Sequence, residues 1–269
     1  MVGKYRRRRN VKIIFPSTIT SFAMVFGFIS IMLAANGDFV KASYMLMLSM
    51  VMDGLDGKVA RMTNTASEFG IQYDSLSDLI AFGLAPAFIY ARFVVHAQGI
   101  DRMYYLLPMM FMVCGAIRLA RFNITASIYG KTHFTGLPIP AASFALILWP
   151  PLLNWAPQSE ILTSLGVVEH LTLQNLFPYS IGLIVLLSWS MISTLKFDTP
   201  GGFWFHKFPK KWMNWAVIAA FLSLNIWFHF SFFCLAIATY YLLFMYARAF
   251  YERVIKQQAP PLEDEENTA

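Results

Sequence analysis

Charge is what this sequence has least of. Asp, Glu, Lys and Arg make up 13% of its 269 residues, while Ala, Val, Ile, Leu, Met, Phe, Trp, Tyr and Cys make up 57%. Soluble domains carry about 25% charged residues, so this chain cannot clothe a globular surface with polar groups. The deficit excludes a water-soluble domain and makes lipid the solvent. Cysteine is scarce too: Cys114 and Cys234 stand alone in apolar stretches, too few for a metal-ligand pattern and best read as buried free thiols. A cleavable leader is not expected, because the apolar run from Pro16 is too long for one and lacks a small-residue cleavage site. No internal repeat and no separate soluble domain are visible. The net charge of +6 does not point to nucleic acid here. In so apolar a chain a basic excess marks loops lying against anionic lipid.

Runs with little charge predict eight helices, at about 16–36, 39–62, 72–95, 103–122, 138–155, 177–195, 212–228 and 232–250. Each is near the ~20 residues that cross ~30 Å of hydrocarbon. The last two rest on the 36 uncharged residues between Lys211 and Arg248, too many for one crossing and best divided by a turn near His229. The second and third are unusual: only 11 uncharged residues separate Lys41 from Asp53, and 13 separate Asp78 from Arg92. Those carboxylates therefore sit inside helices at the membrane boundary, a costly place for charge.

Lys and Arg set the orientation. With the amino terminus inside, 18 of the 21 basic residues fall on the cytoplasmic side, leaving only Lys41, Arg92 and Arg102 elsewhere. An all-α integral membrane protein of eight spans follows, with both termini cytoplasmic. Residues 1–15 form a basic segment in which Arg6, Arg7, Arg8 and Arg9 precede Val11, Ile13, Ile14 and Phe15. It reads equally as a short amphipathic interfacial helix or a disordered topology signal. Residues 16–196 form a six-helix membrane domain, 197–250 a loop and helix hairpin, and 251–269 a disordered acidic tail.

The segment joining the second and third helices reads MDGLDGKVARMTNTASEFGIQYDSLSD. At about 100° per residue, Asp53, Asp56, Gly57 and Ala60 share one face of the first helix, and Gly70, Asp74 and Asp78 one face of the next. The eight residues from Met62 to Phe69 let the two helices run antiparallel with these stripes facing. Gly57, Ala60 and Gly70 leave room for close approach of a backbone or ligand. Four converging carboxylates repel unless cations neutralise them, and Lys58 and Arg61 are too few to do so. All-oxygen ligation without His or Cys suits two Mg²⁺ or Mn²⁺ ions, the usual clamp for displacement at phosphorus.

The pattern D-x2-D-G-x2-A-R-x8-G-x3-D-x3-D, met by Asp53, Asp56, Gly57, Ala60, Arg61, Gly70, Asp74 and Asp78, resembles the signature of the CDP-alcohol phosphotransferase family. The resemblance implies a six-helix catalytic core, commonly a homodimer, with a dinuclear metal site and a nucleotide pocket opening to the cytoplasm. It implies metal ligation by Asp53, Asp56, Asp74 and Asp78, with Asp78 also the base that draws the acceptor's proton. Asp53, Gly57, Ala60, Arg61 and Gly70 would contact the CDP-linked lipid, Gly57 and Ala60 lining the cytidine pocket. Arg61 could equally pair with an acid.

Two further stretches, CGAIRLARFN and HFTGLPIPAAS, resemble segments of the serine-accepting members of that family, which use CDP-diacylglycerol as donor. Arg118 and Arg121, at i and i+3, could hold the carboxylate of L-serine as charge-assisted forks, or could instead be anchors touching lipid phosphate. His133 reads as an ordinary interfacial residue. The amino-terminal FPSTIT carries Ser17 where relatives often have Asn. Glycerol 3-phosphate and inositol phosphate, which need a denser basic pocket, and choline, which needs an aromatic cage, stay open as acceptors. So does an ion transporter, the other use of intramembrane acids.

The orientation is testable by labelling single cysteines in a background without Cys114 and Cys234. Positions 64 and 207 should react from the cytoplasmic side and position 159 from the opposite side. Labelling of position 64 from outside would break the eight-span arrangement.

Overall fold

The computed structural model describes residues 2–63, 67–96, 102–129, 134–164, 166, 168–197, 243, 246 and 247. Helix α1 (Val2–Ala35) is unbroken over 34 residues. Residues 2–15 are helical and continuous with the first expected span. At about 1.5 Å per residue α1 runs about 50 Å, well beyond the ~30 Å of hydrocarbon.

Gly37, with φ of 88°, ends this helix. The Asp38 N–H reaches back to the Leu33 carbonyl at 2.9 Å and the Gly37 N–H to that of Ala34 at 3.1 Å. This paired closure needs a left-handed residue between, which glycine supplies without steric cost. Helix α2 (Phe39–Met62) then returns along α1. Buried serines tie the pair: Ser30 Oγ donates to the Ala42 carbonyl and Ser49 Oγ to that of Ala23, each at 2.7 Å. Small hydroxyl residues let helices approach closely and bond across the contact.

Helix α3 (Glu68–Asp78) starts four residues before the expected span. Its cap is Ser67, whose side chain accepts the Gly70 N–H at 3.1 Å. From Asp78 the chain continues without a break through a π-helical turn (Leu79–Leu84), α4 (Ala85–Tyr90) and a second π-helical turn (Ala91–His96). In the first wide turn the Ala85 N–H reaches the Ile80 carbonyl, five residues back. Pro86 follows at once, lacks an N–H and crowds the preceding turn, and the widened winding accommodates it.

A 3₁₀ turn (Arg102–Tyr105) leads into α5 (Leu106–Tyr129). The fifth expected span is two pieces, α6 (Ile139–Ile147) and α7 (Trp149–Trp155), divided at Leu148. Pro150 and Pro151 deprive the junction of donors. A 3₁₀ turn (Ala156–Gln158) and short α8 (Glu160–Ser164) follow. Helix α9 (Leu173–Ile192) opens on Thr172, which accepts the Asn175 N–H at 3.3 Å. A two-residue antiparallel ribbon, β1 (Phe134–Thr135) with β2 (Lys196–Phe197), is the only strand pairing among the described residues and is not expected from the sequence.

Among the described residues, five helical stretches are long and apolar enough to cross a membrane: Ser17–Ala35, Glu68–Val95, Arg102–Ile124, Ile139–Gln158 and Leu173–Ile192. Helix α2 is long enough, but Lys41, Asp53, Asp56, Lys58 and Arg61 keep it from qualifying by composition. The seventh and eighth expected spans and the acidic tail lie outside the described residues, apart from helical Leu243, Tyr246 and Ala247. The main core packs Phe82, Phe111, Leu137, Ile139, Leu187 and Met191 among α5, α6, α9 and the first π-turn, and a second cluster joins Ala34, Ala42, Leu46, Ala85, Ile89 and Ile147. Phe22, Val25, Phe28 and Met32 run exposed along one side of α1, as a lipid-facing stripe requires.

A close backbone seam lies between α1 and the first π-turn. A β-carbon added to Gly27 would stand 2.8 Å from Ala81 Cα and 2.9 Å from its Cβ. Gly27→Ala should therefore force the seam apart and lower stability by about 1–3 kcal/mol, read as a drop in Tm of the detergent-solubilised protein. Gly182→Ala, where an added β-carbon meets nothing within 4 Å among the described residues, should be neutral or slightly stabilising.

Candidate metal and phosphoryl-transfer site

The carboxylates gather where the last turns of α2 meet α3. One oxygen from each of Asp53, Asp56 and Asp74 lies within 4.8 Å of the others, and buried Asp78, one turn after Asp74 on α3, is close enough to interact electrostatically with Asp53 and Asp74. All four acids expected to face one another are thus brought together. Asp56 and Asp78 are only 6% and 9% exposed, so water does little to screen them. No ion pair relieves them among the described residues: the one present joins Lys41 to Asp38, at 3.2 Å, by the opposite end of α2. Lys58 points outward as an exposed residue. The side chains of Ala60 and Arg61 lie outside the described set.

Three buried polar atoms at this site have no hydrogen-bond partner among the described residues: Asp74 Oδ1, Asp78 Oδ1 and Arg118 Nε. Buried atoms of this kind cost about 1–3 kcal/mol each, more when charged, and they cluster where a ligand completes the bonding. The acids supply oxygen donors alone, with no His or Cys among them. That set fits a hard divalent cation such as Mg²⁺ or Mn²⁺.

Arg118 and Arg121 lie one turn apart on α5 and do different things. Arg118 is 6% exposed, with its charge directed at Asp78 and its guanidinium 5.4 Å from the centre of the Phe122 ring. Arg121 instead closes the end of α9, donating to the carbonyls of Ile192 at 2.7 Å, Ser193 at 3.1 Å and Met191 at 3.3 Å. Those carbonyls have no partner within their own helix, and a cation there also meets the negative end of the helix dipole. Around this latch the Gly136 and Leu137 N–H groups bond the Leu195 and Ser190 carbonyls at 2.8 and 3.0 Å. Of the two expected acceptor-binding arginines, Arg118 thus lies buried beside Asp78, while Arg121 ties α5 to the end of α9.

Gly57 borders open space, for an added β-carbon would meet no described atom within 4 Å. Gly70 is closer-set, its added β-carbon standing 3.2 Å from Ser67 Oγ, which ties it to the α3 cap. Opposite α3, Asn123 of α5 accepts from Ser75 Oγ at 3.1 Å and donates to Gln72 Oε1 at 3.1 Å, fixing the helix that carries Asp74 and Asp78 against the one that carries Arg118.

Helix α1 also enters the site, which the signature did not reveal. Thr20 Oγ1 donates to Asp56 Oδ2 at 2.6 Å, and Ser77 Oγ donates to the Thr20 carbonyl at 3.1 Å. A run of small hydroxyl residues, Ser17, Thr18, Thr20 and Ser21, in an otherwise apolar span is the signal that could have pointed here.

Residues 13–174 match the profile of the CDP-alcohol phosphatidyltransferase family. A protein from Helicobacter pylori strain J99 named CDP-diacylglycerol–serine O-phosphatidyltransferase is 38% identical over 184 residues, covering 68% of this chain and 71% of the relative. Its namesake from strain 26695 is 44% identical over 135 residues, 50% of this chain and 56% of that protein. An archaetidylserine synthase from Methanothermobacter thermautotrophicus is 36% identical over 135 residues, 49% of this chain and 55% of the relative.

Proposed function

The chain belongs to the CDP-alcohol phosphatidyltransferase family, and on that premise we propose that it transfers the phosphatidyl group of CDP-diacylglycerol to L-serine, releasing CMP. The observation that carries this reading is the convergence of Asp53, Asp56, Asp74 and Asp78 beside buried Arg118. The names of the relatives from Helicobacter and Methanothermobacter favour serine over glycerol 3-phosphate, inositol phosphate or choline. In this reading α2, packed along α1, crosses with it, the chain has eight spans, and the site opens at the cytoplasmic face. A homodimer, as the family resemblance implies, belongs to the same proposal.

Asp53, Asp56 and Asp74, with Asp78, would hold divalent cations. When bound, these supply positive charge to the pyrophosphate of the donor and to the departing CMP. The open space beside Gly57, together with Ala60, Arg61 and Gly70, would admit the cytidine and phosphates of the donor while its tails stay in the bilayer. Arg118 would receive the serine carboxylate on its unpartnered N–H. Asp78 would take the proton as the serine hydroxyl attacks the lipid-side phosphorus. The new P–O bond forms as the P–O bond to CMP breaks, and the proton passes on to solvent. A carboxylate is a weak base for an alcohol, so most of the rate must come from placing hydroxyl and phosphorus in line.

The test is CMP release by purified protein given CDP-diacylglycerol, Mg²⁺ or Mn²⁺ and a panel of acceptors. Serine should support release, and EDTA, Asp53→Ala, Asp56→Ala and Asp74→Ala should each abolish it while the protein still inserts. Release with glycerol 3-phosphate but not with serine would overturn the acceptor assignment and leave the family chemistry standing.

Roles within the site separate by kinetics. Asp78→Asn should lower turnover by about 10²–10⁴-fold, the usual contribution of a general base, with donor binding retained. Arg118→Lys keeps the charge but loses the planar fork. It should raise serine KM by about 10-fold or more with donor KM little changed. Equal losses toward serine and ethanolamine would remove the carboxylate contact.

A further inference from the structure

The four acids lie on α2 and α3, and α1, which carries none of them, bonds to both arms. Thr20 lies in α1, 95% buried, and makes two bonds of opposite sense. Its hydroxyl donates to Asp56 Oδ2 on α2 at 2.6 Å. Its carbonyl accepts from Ser77 Oγ on α3 at 3.1 Å, and Ser77 immediately precedes Asp78. One residue thus joins the arm bearing Asp53 and Asp56 to the arm bearing Asp74 and Asp78. The Gly27–Ala81 contact, two turns further along α1, holds the same helices at a fixed approach.

We propose that Thr20 is a positioning residue for the cation site: its hydroxyl fixes the rotation of the Asp56 carboxylate and, with Ser77, the spacing between the two pairs of acids. The inference rests on the metal-holding role proposed above for the four aspartates. An Asp side chain turns about two torsions, and a carboxylate that must meet a cation at a set distance gains from a donor that locks its plane. A hydroxyl is well suited to this task. It is neutral, so it restrains Asp56 without competing for the cation as a lysine or arginine would. Residues that orient a ligand typically alter metal affinity by about 10–100-fold when removed.

The experiment compares wild type with Thr20→Val, which keeps the shape without the hydroxyl, and Thr20→Ser, which keeps the hydroxyl without the methyl. Mn²⁺ binding to the purified detergent-solubilised protein is followed by the EPR signal of free Mn²⁺, and Tm is recorded for each variant. Thr20→Val should bind Mn²⁺ about 10–100-fold more weakly, with the Mn²⁺ concentration for half-maximal CMP release rising in parallel and turnover at saturating Mn²⁺ largely restored. Thr20→Ser should bind within a few-fold of wild type. Should Thr20→Val fail to insert, Thr20→Ala makes the same comparison without added bulk at the seam. Unchanged Mn²⁺ affinity in the hydroxyl-free variant would sink the proposal, as would equal losses in Thr20→Ser and Thr20→Val, which would trace the effect to any change of packing at this position rather than to the hydroxyl. Failure of wild type itself to bind Mn²⁺ would instead remove the metal reading on which the proposal stands.

Discussion

Like charges brought together away from water repel strongly, and that repulsion governs this molecule. Two carboxylates about 4–5 Å apart at an effective dielectric near 20 oppose each other by about 3–4 kcal/mol, and the site holds several such pairs. Arg118 and the Thr20 hydroxyl offset only part of this. Asp74 Oδ1 and Asp78 Oδ1 are left without a bonding partner. A bare cluster of this kind would spread apart unless its helices were held, and the surrounding architecture holds them. The α1–α2 hairpin is laced by serine hydroxyls, α3 is tied to α5 through Asn123, and α5 is clamped to α9 through Arg121. Stability is given up locally so that a charged ligand finds its donors already in place.

The fold uses polar side chains sparingly and mostly as fasteners between backbones. In an apolar solvent helices gain little from hiding hydrophobic surface against one another, so close approach and interhelical hydrogen bonds carry more of the specificity. Ser30, Ser49 and Ser77 each spend a hydroxyl on the carbonyl of a neighbouring helix. Arg121 does the same with a full charge at a helix end. The aromatic and aliphatic bulk of Phe82, Phe111 and Ile139 fills the space between these ties.

Much of this could be read directly from residue order. Helix α2 falls at 39–62 as expected, and the facing of Asp53 and Asp56 with Asp74 and Asp78 follows from helical periodicity and one short connection. What escaped is instructive. Helices α3 and α9 are capped by Ser67 and Thr172 and begin a few residues before their apolar runs, because a cap is polar and a hydrophobicity pattern passes over it. The division at Leu148 and the π-turn at Leu79–Leu84 come from where prolines meet packed neighbours, and hydrophobic length is blind to both. Arg118 and Arg121 looked equivalent at i and i+3; only the position of α9, remote in sequence, gives them different partners. Thr20 was hidden for the same reason, since its bond to Asp56 spans 36 residues.

The contact between Gly27 and Ala81 has a bearing on traffic through the bilayer. At that level the backbones of α1 and the first π-turn touch with no space for even a methyl group, and a hydrocarbon tail cannot thread between them. A lipid whose head group occupies the carboxylate site must therefore drape its chains along a different flank of the bundle. For the two-tailed donor proposed above, the seam would act as a wall, limiting the directions from which it could slide in and its product diffuse away.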